Sequence, residues 1–408
     1  MRVFFCNRYF WPDHSATAQI LSDLAFFLPA HCARVAVITS AASYSDAKLR
    51  FRPHEWKDDV EIWRTPTVRL GRNRMLGRLL DYAVFYIFAS IFVLRRVGRG
   101  DILVIKTDPP LLSVFLVLAV RVKGAKTVLW QQDLYPEVAA AFGVAAARGI
   151  LGKGLRRMRN WSMMGADKVV AIGEIMADLL QREGVPAPKI AVIPNWTDDE
   201  AIVPGKASDN ALRCGWGFAP NELVVGYSGN LGRAHDLSTI MECARILDRQ
   251  HQNRVKFLFV GGGFLHDELR RIVFDEGLAN VELRPYQPRQ ILNETLGVPD
   301  IHWISLRDMF EGLIVPSKFY GVAAAGRPTI FIGSATGELA RIIGAHKLGF
   351  VIPQGNSQAL ANLLLRLSDD RSQLNHVGIR ARAYVDERGC RSARMSEWLT
   401  LLLSVDSG

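Results

Sequence analysis

Glu311–Pro328, EGLIVPSKFYGVAAAGRP, joins a carboxylate, a glycine and a lysine in one connection after an apolar run. Glu311 follows Ile301–Leu306 by a short loop, so it stands beyond the carboxyl end of an expected strand, where open α/β sheets bind ligands. Gly312 leaves the local amides, that of Leu313 among them, open to a ligand. Pro316 and Ser317 are expected to start a helix, with Lys318 in its first turn. The helix dipole disfavours a cation there, so an anion beside Lys318 would account for it. The small residues Ala323–Gly326 permit close helix-to-sheet packing.

Four other strand ends carry polar or glycine-rich connections. In Tyr227–Asp236, YSGNLGRAHD, a strand ends at Gly229 and a turn through Asn230 and Gly232 leads to a helix. Arg233 and His235 are expected to add positive charge, which suits a diphosphate. Val260–Phe264, VGGGF, offers Gly261 and Gly262 for close backbone approach to a nucleoside base. Trp130–Glu137, WQQDLYPE, places Gln132 and Asp133 where they could hold sugar or acceptor hydroxyls; helix capping by Asp133 is the alternative. Asn7–Thr17 holds Asp13, His14 and Ser15, with Ser15 a plausible N-cap of a helix starting near Ala16. No G-x-G-x-x-G occurs in that first connection, which weakens a dinucleotide-dependent oxidoreductase.

The elements behind these connections are short Val- and Ile-rich runs. They include Val3–Cys6, Val35–Thr39, Ile102–Lys106, Thr127–Gln131, Val169–Ile172 and Ile190–Ile193, then Val224–Ser228, Phe257–Gly261, Val281–Leu283, Ile301–Leu306, Thr329–Ile332 and Phe350–Pro353. Continuous apolar runs alternating with amphipathic stretches predict an α/β chain with parallel sheets covered on both faces. A length of 408 residues is long for one core and predicts two domains. The polar stretch after Pro194 sets the expected boundaries: 1–196, a linker at 197–221, a second domain at 222–385, and a C-terminal helix at 386–408 that packs back across the junction. With 49% apolar and 22% charged residues the chain is not disordered. Five scattered cysteines without a C-x-x-C pair argue against a disulfide framework or a zinc site and fit a reducing cytoplasm. The start, MRVFFCNRYFW, reads as a buried strand rather than a signal peptide.

The net charge of +10 is uneven: residues 1–200 carry 27 Lys and Arg against 19 Asp and Glu, the rest 23 against 21. An anionic partner for the first half follows. Tyr82–Leu94 has thirteen residues without a charge, too few to span a bilayer, and is flanked by Arg72, Arg74 and Arg78 before and Arg95, Arg96 and Arg99 after. It is either a buried helix with solvated ends or an interfacial helix against anionic headgroups. Arginines that flank an apolar helix, with no nucleic-acid motif, argue against nucleic acid.

The motifs PDHSATAQILSDLA, WQQDLYPE, VIPNW, YSGNLGRAHDL, FLFVGGG, PYQPR and Glu311–Pro328, in this order, cover nearly the whole chain. Together they resemble the retaining family 4 glycosyltransferases with the GT-B fold, and within them the colanic-acid, O-antigen and capsule transferases. The resemblance implies two doubly wound Rossmann-like domains facing across a cleft. It implies transfer of a sugar from a nucleotide diphosphate, a UDP-sugar favoured over a GDP-sugar, without a metal or other cofactor. It assigns donor-sugar contact to Glu311 and leaving-group charge to Lys318 and Arg233, with Asp133 among the catalytic residues. It implies nucleotide contacts from Gly229, Asn230, Gly232, His235, Gly261, Gly262, Gly312, Leu313 and Ser317. Asp13, His14, Ser15 and Gln132 fall on the acceptor side. The family's second glutamate aligns with Gly321, so Glu338 is taken as the substitute ribose ligand. The implied acceptor is a polyprenyl-diphosphate-linked saccharide, met by a cytoplasmic enzyme held at the inner membrane through Arg72, Arg74, Arg78, Arg95 and Arg96. A sugar-nucleotide epimerase and a non-catalytic sugar-nucleotide-binding partner are the alternatives.

Overall fold

The computed structural model describes residues 1–13, 15–31, 34–43, 49–67 and 75–407, without the side chains of Met75, Leu76 and Arg78. The expectations for His14, Arg72 and Arg74, and for the Arg78 side chain, lie outside the described residues. The chain divides into two compact units, Met1–Asn195 with Ser392–Gly408, and Trp196–Arg391.

The first unit is built on β1 (Arg2–Cys6), β2 (Arg34–Ser40), β3 (His54–Lys57), β4 (Val60–Thr65), β5 (Asp101–Lys106), β6 (Lys126–Trp130), β7 (Lys168–Ala171) and β8 (Ile190–Val192). Their order across the sheet is β3-β4-β2-β1-β5-β6-β7-β8. All neighbours are parallel except β3 and β4. Central β1 is apolar from Val3 to Cys6 because helices cover both its faces. The hairpin β3–β4 has no such run: HEWK is a polar edge strand, and Asp58 and Asp59 form its turn at positive φ.

The steps β4→β5, β5→β6 and β6→β7 all run the same way across the sheet. Right-handed crossovers therefore set the helices Met75–Arg96, Leu112–Val122 and Gly149–Gly165 on one face. Contacts join the three: Tyr86 stacks on Phe115 at 4.6 Å, and the Ser113 and Ser162 hydroxyls are 2.9 Å apart. Met75–Arg96 is neither wholly buried nor wholly solvated. Phe85, Ala89 and Val93 point into the core, whereas Ile87, Ile91 and Leu94 are exposed. The helix Arg391–Ser407 belongs to this unit, with Trp398 against Trp130 at 4.4 Å between ring centroids.

The second unit has β9 (Leu223–Asn230), β10 (Val255–Gly262), β11 (Val281–Arg284), β12 (Ile301–Ser305), β13 (Thr329–Ile332) and β14 (Gly349–Ile352), all parallel, in the order β11-β10-β9-β12-β13-β14. Winding reverses between β9 and β12, which makes the carboxyl end of that strand pair the switch point. Its core joins Val225, Tyr227, Phe257, Trp303 and Ile330. Residues 197–221, expected as a linker, fall within this unit. Asn210 caps the short helix Ala211–Gly215, and the buried Arg213 binds Val298 O at 2.8 Å and Asp300 at 3.0 Å. A buried guanidinium needs those acceptors, so this stretch is packed and not a free connector. The unit also runs on to Arg391, beyond the expected edge at 385.

Candidate active site

At the switch point of the second unit the sheet register sets Gly229 beside Gly261 and Asn230 beside Gly262. Leu231 N–H then donates to Gly262 O at 2.7 Å, which joins the two connections. The Lys318 side chain crosses this floor. A Cβ at Gly229 would stand 2.8 Å from Lys318 Cε, and Gly229 has φ +120°, a conformation few L side chains adopt. Lys318 Nζ lies 5.4 Å from the Tyr227 ring centroid. Burial pushes the Lys318 pKa down to about 8, with no carboxylate acting on it among the described residues. An ammonium without a counter-charge is available to an anionic ligand.

The helix begins at Lys318 and ends at Ala324, so Pro316 and Ser317 precede it. So short a helix has little dipole, and the glycine floor and the Tyr227 ring account for the lysine instead. Three residues on, Gly321 faces Leu296, Thr197 and Ile202, with a Cβ there 3.6 Å from Leu296 Cδ1. It is a packing position beside the Ile202–Leu296–Ala323 cluster.

His235 does not supply the expected positive charge. Its Nδ1 lies 2.7 Å from Ser305 O, and the ring also meets the Asn230 backbone. Burial, reinforced by the Lys318 charge, pushes its pKa down to about 3. Gly232 and Arg233 form the turn before it. The exposed Arg233 guanidinium lies over the Phe264 ring at 3.8 Å, just past the glycines that end β10.

Glu311 lies after the turn Asp308–Phe310. Its Oε2 accepts the backbone N–H of Glu338 at 3.3 Å, at the start of the helix Glu338–His346. Its Oε1 is buried without a hydrogen-bond partner among the described residues. A Cβ at Gly337 would meet this carboxylate and displace it. Burial, with the charges of Glu338 and Asp308, raises the Glu311 pKa to about 7 against the Glu338 amide and Arg341. The amides of Leu313 and Ile314 both donate to Phe310 O. The expected open row of amides after Glu311 is thus partly closed by its own turn. Glu338 meets Glu311 through its backbone.

In the first unit the carboxyl ends of β5 and β6 bring Lys106 beside Trp130. Lys106 is 2% exposed, donates to Thr17 O at 3.0 Å and sits 3.8 Å from the Trp130 ring centroid. Burial lowers its pKa to about 7 against Asp133 and Asp108. Asp133 shifts the other way, up to about 6, through burial and the Asp108 charge, with Lys106 opposing. Sequence reasoning missed Lys106; the signal was a lysine ending the apolar run ILVIK, where a buried charge needs a partner.

Two expected acceptor-side groups are committed elsewhere. Gln132 is buried and exchanges two hydrogen bonds with Asn195, at 2.9 and 3.1 Å, because a buried amide must satisfy both its ends. Asp13 is buried and accepts the Ser43 hydroxyl at 2.9 Å. Ser15 does cap its helix, accepting Ala18 N–H at 3.3 Å. Arg95 and Arg96 are exposed, with Arg96 stacked on Trp63 at 4.7 Å. Among the described residues no cluster of three or more His, Cys, Asp or Glu could hold a metal.

The family model "Glycosyl transferase 4-like domain" matches residues 16–196, and "Glycosyl transferases group 1" matches residues 209–384. The chain belongs to the family 4 glycosyltransferases. The transferase is 28% identical over 321 residues, 78% of each chain, to the probable glycosyltransferase WbjE of Pseudomonas aeruginosa. It is 25% identical over 354 residues, 84% of this chain and 86% of the relative, to the putative colanic acid biosynthesis glycosyl transferase WcaI of Escherichia coli strain K12. Anabaena Alr3699/HepE, solved in complex with UDP, matches 99% of the transferase and 100% of its own chain with a TM-score of 0.73 at 16% identity. That likeness shows the GT-B fold of two Rossmann-like domains.

Proposed function

We propose that the transferase moves a sugar, with retention, from a nucleotide-diphosphate sugar to a saccharide carried on a polyprenyl diphosphate, in bacterial exopolysaccharide, capsule or O-antigen assembly. The observation that carries this is Lys318, an ammonium lying across Gly229 at the switch point with no counter-charge among the described residues. Lys318 meets the diphosphate, with Arg233 as a second cation. Gly229, Asn230, Gly232, Gly261 and Gly262 form the floor against which the nucleotide lies. Glu311 holds donor-sugar hydroxyls through the Oε1 that finds no partner among the described residues. Glu338, whose backbone adjoins Glu311, is the proposed ribose contact. Asp133, with Lys106 near it, serves the acceptor.

The C1–oxygen bond to the diphosphate breaks and that oxygen keeps the electron pair. The acceptor oxygen bonds to C1 on the same face, and its proton passes to a phosphate oxygen of the leaving group. Protein cations neutralise the leaving group, and no metal is invoked. A UDP-sugar is favoured over a GDP-sugar; the UDP bound by the Anabaena neighbour supports that choice. The name of the Escherichia coli relative, a putative colanic acid biosynthesis glycosyl transferase, supports a polysaccharide pathway. The enzyme is placed in the cytoplasm, peripheral to the membrane, and no described helix is long and apolar enough to cross one.

The test incubates the purified transferase with radiolabelled UDP- and GDP-sugars and a membrane lipid extract, in the presence of chelator. Label in the lipid fraction with UDP-sugars, lost in Lys318→Ala, supports the proposal. Epimerised donor without transfer, or label that requires an added divalent cation, overturns it.

A further inference from the structure

The outer sides of the three helices Met75–Arg96, Leu112–Val122 and Gly149–Gly165 share one chemical character. On the first, Ile87, Ile91 and Leu94 follow the spacing of one helical stripe, opposite the buried stripe Phe85, Ala89 and Val93. On the second, Phe115, Leu118 and Val122 form a like stripe, Val122 being 74% exposed. On the third, Ile150, Met158 and Trp161 are exposed, Ile150 at 90%. Apolar side chains on three packed neighbours make a patch of the kind that marks an interaction surface.

Its charge selects the partner. The three helices hold one acidic residue, Asp81, which is paired with the buried Arg8. Arg95 and Arg96 end the first helix, Arg121 reaches over Trp161 from the second, and Lys153 and Arg157 are exposed on the third. An apolar face with a basic rim is complementary to lipid tails below anionic headgroups. Two copies meeting through this face would bring like charges together, which disfavours a second copy as its cover.

We propose that this three-helix face seats on an anionic bilayer surface, with Gly149–Gly165 and Leu112–Val122 sharing the load with Met75–Arg96. This deepens, and rests on, the membrane-borne acceptor proposed above. It places a tryptophan and two exposed cations on a helix that the sequence did not connect with lipid. The seat lies on the face of the sheet that carries the rightward crossovers, so Ala16–Phe27, whose crossover steps the other way, takes no part.

Vesicle flotation with the full chain tests it, using phosphatidylglycerol-containing and pure phosphatidylcholine vesicles. The wild type should float with the anionic vesicles only. Ile150→Ser with Met158→Ser and Trp161→Ser should lower partitioning by at least about tenfold. Lys153→Gln with Arg157→Gln should lower it by about thirtyfold. Both sets keep the wild-type circular dichroism spectrum and melting temperature, which shows that the substituted unit is folded, and the UDP-induced thermal shift, which reports on the other unit. Unchanged partitioning in both sets, equal flotation with neutral vesicles, or a dimer that these substitutions split without any lipid binding would each overturn the proposal. Flotation that persists in an enzyme with no transfer activity sinks the proposed reaction and leaves the seat standing.

Discussion

The ammonium of Lys318 lies 5.4 Å from the centroid of the Tyr227 ring, across the Gly229 backbone, with no carboxylate acting on it among the described residues. A cation held this way costs folding energy that an anionic ligand offsets. Lys318→Ala should lower kcat about a hundredfold or more, the loss seen when one donor to a developing charge is removed, roughly 3 kcal/mol. Lys318→Met should raise the melting temperature at pH 7 by a few degrees, since it removes a buried charge. A near-normal kcat in either folded variant, or a lower melting temperature in Lys318→Met, would count against this role.

Its pH dependence follows. The folded pKa of about 8 lies below the ordinary value of 10.5, so the native state binds fewer protons between those values. Stability from this group therefore rises with pH across that window, and the burial penalty is complete below it. A bound diphosphate pulls the pKa back up, so binding takes up protons and weakens as pH rises through 8. Titration calorimetry of UDP at pH 8.5 in two buffers of different ionisation enthalpy should detect the uptake. Lys318→Arg, which stays charged, should abolish it.

Glu311 titrates in the opposite sense. Its folded pKa of about 7 lies above the ordinary 4.5, so its contribution to stability is complete below 4.5 and is lost as pH rises through 7. The melting temperature of Glu311→Gln minus that of the wild type should therefore climb between pH 4.5 and 7 and level off above. A flat difference would show that the carboxylate is not held as described.

Gly229→Ala places a methyl group in the path of Lys318 and forces a side chain into φ +120°. A destabilisation of about 1–3 kcal/mol is expected from the backbone alone. The UDP-induced thermal shift should also shrink, because Lys318 must move. Gly232→Ala, with a Cβ only 3.5 Å from the Asn230 side chain and no positive φ, is the milder control.

Gln132 and Asn195 form a buried amide pair, and each is predicted to act on stability and not on acceptor recognition. Either Gln132→Ala or Asn195→Ala should cost about 1–3 kcal/mol, because its partner is left unsatisfied. The double variant should cost less than the two summed. Unfolding in urea measures this; a folded Gln132→Ala enzyme with a changed acceptor KM and unchanged stability would restore the acceptor role.

The local sequence carried the architecture. Runs such as FLFVGG and ILVIK are apolar without alternation, which only strands covered on both faces tolerate, and they mark the central strands of both sheets. The glycines of YSGNLG and the Glu311 loop were legible as ligand-facing because each ends such a run. The hairpin β3–β4 was not legible, because β3 is a polar edge strand and β4 alternates buried with half-buried positions instead of forming an apolar run. Tertiary structure decided what the polar side chains do. Whether His235 is charged depends on its burial and on Lys318, far along the chain; whether Gln132 is free depends on Asn195. It also decided that the outer stripes of Leu112–Val122 and Gly149–Gly165 lie beside that of Met75–Arg96. Periodicity fixes which side of a helix is apolar, but crossover handedness fixes which helices share a face.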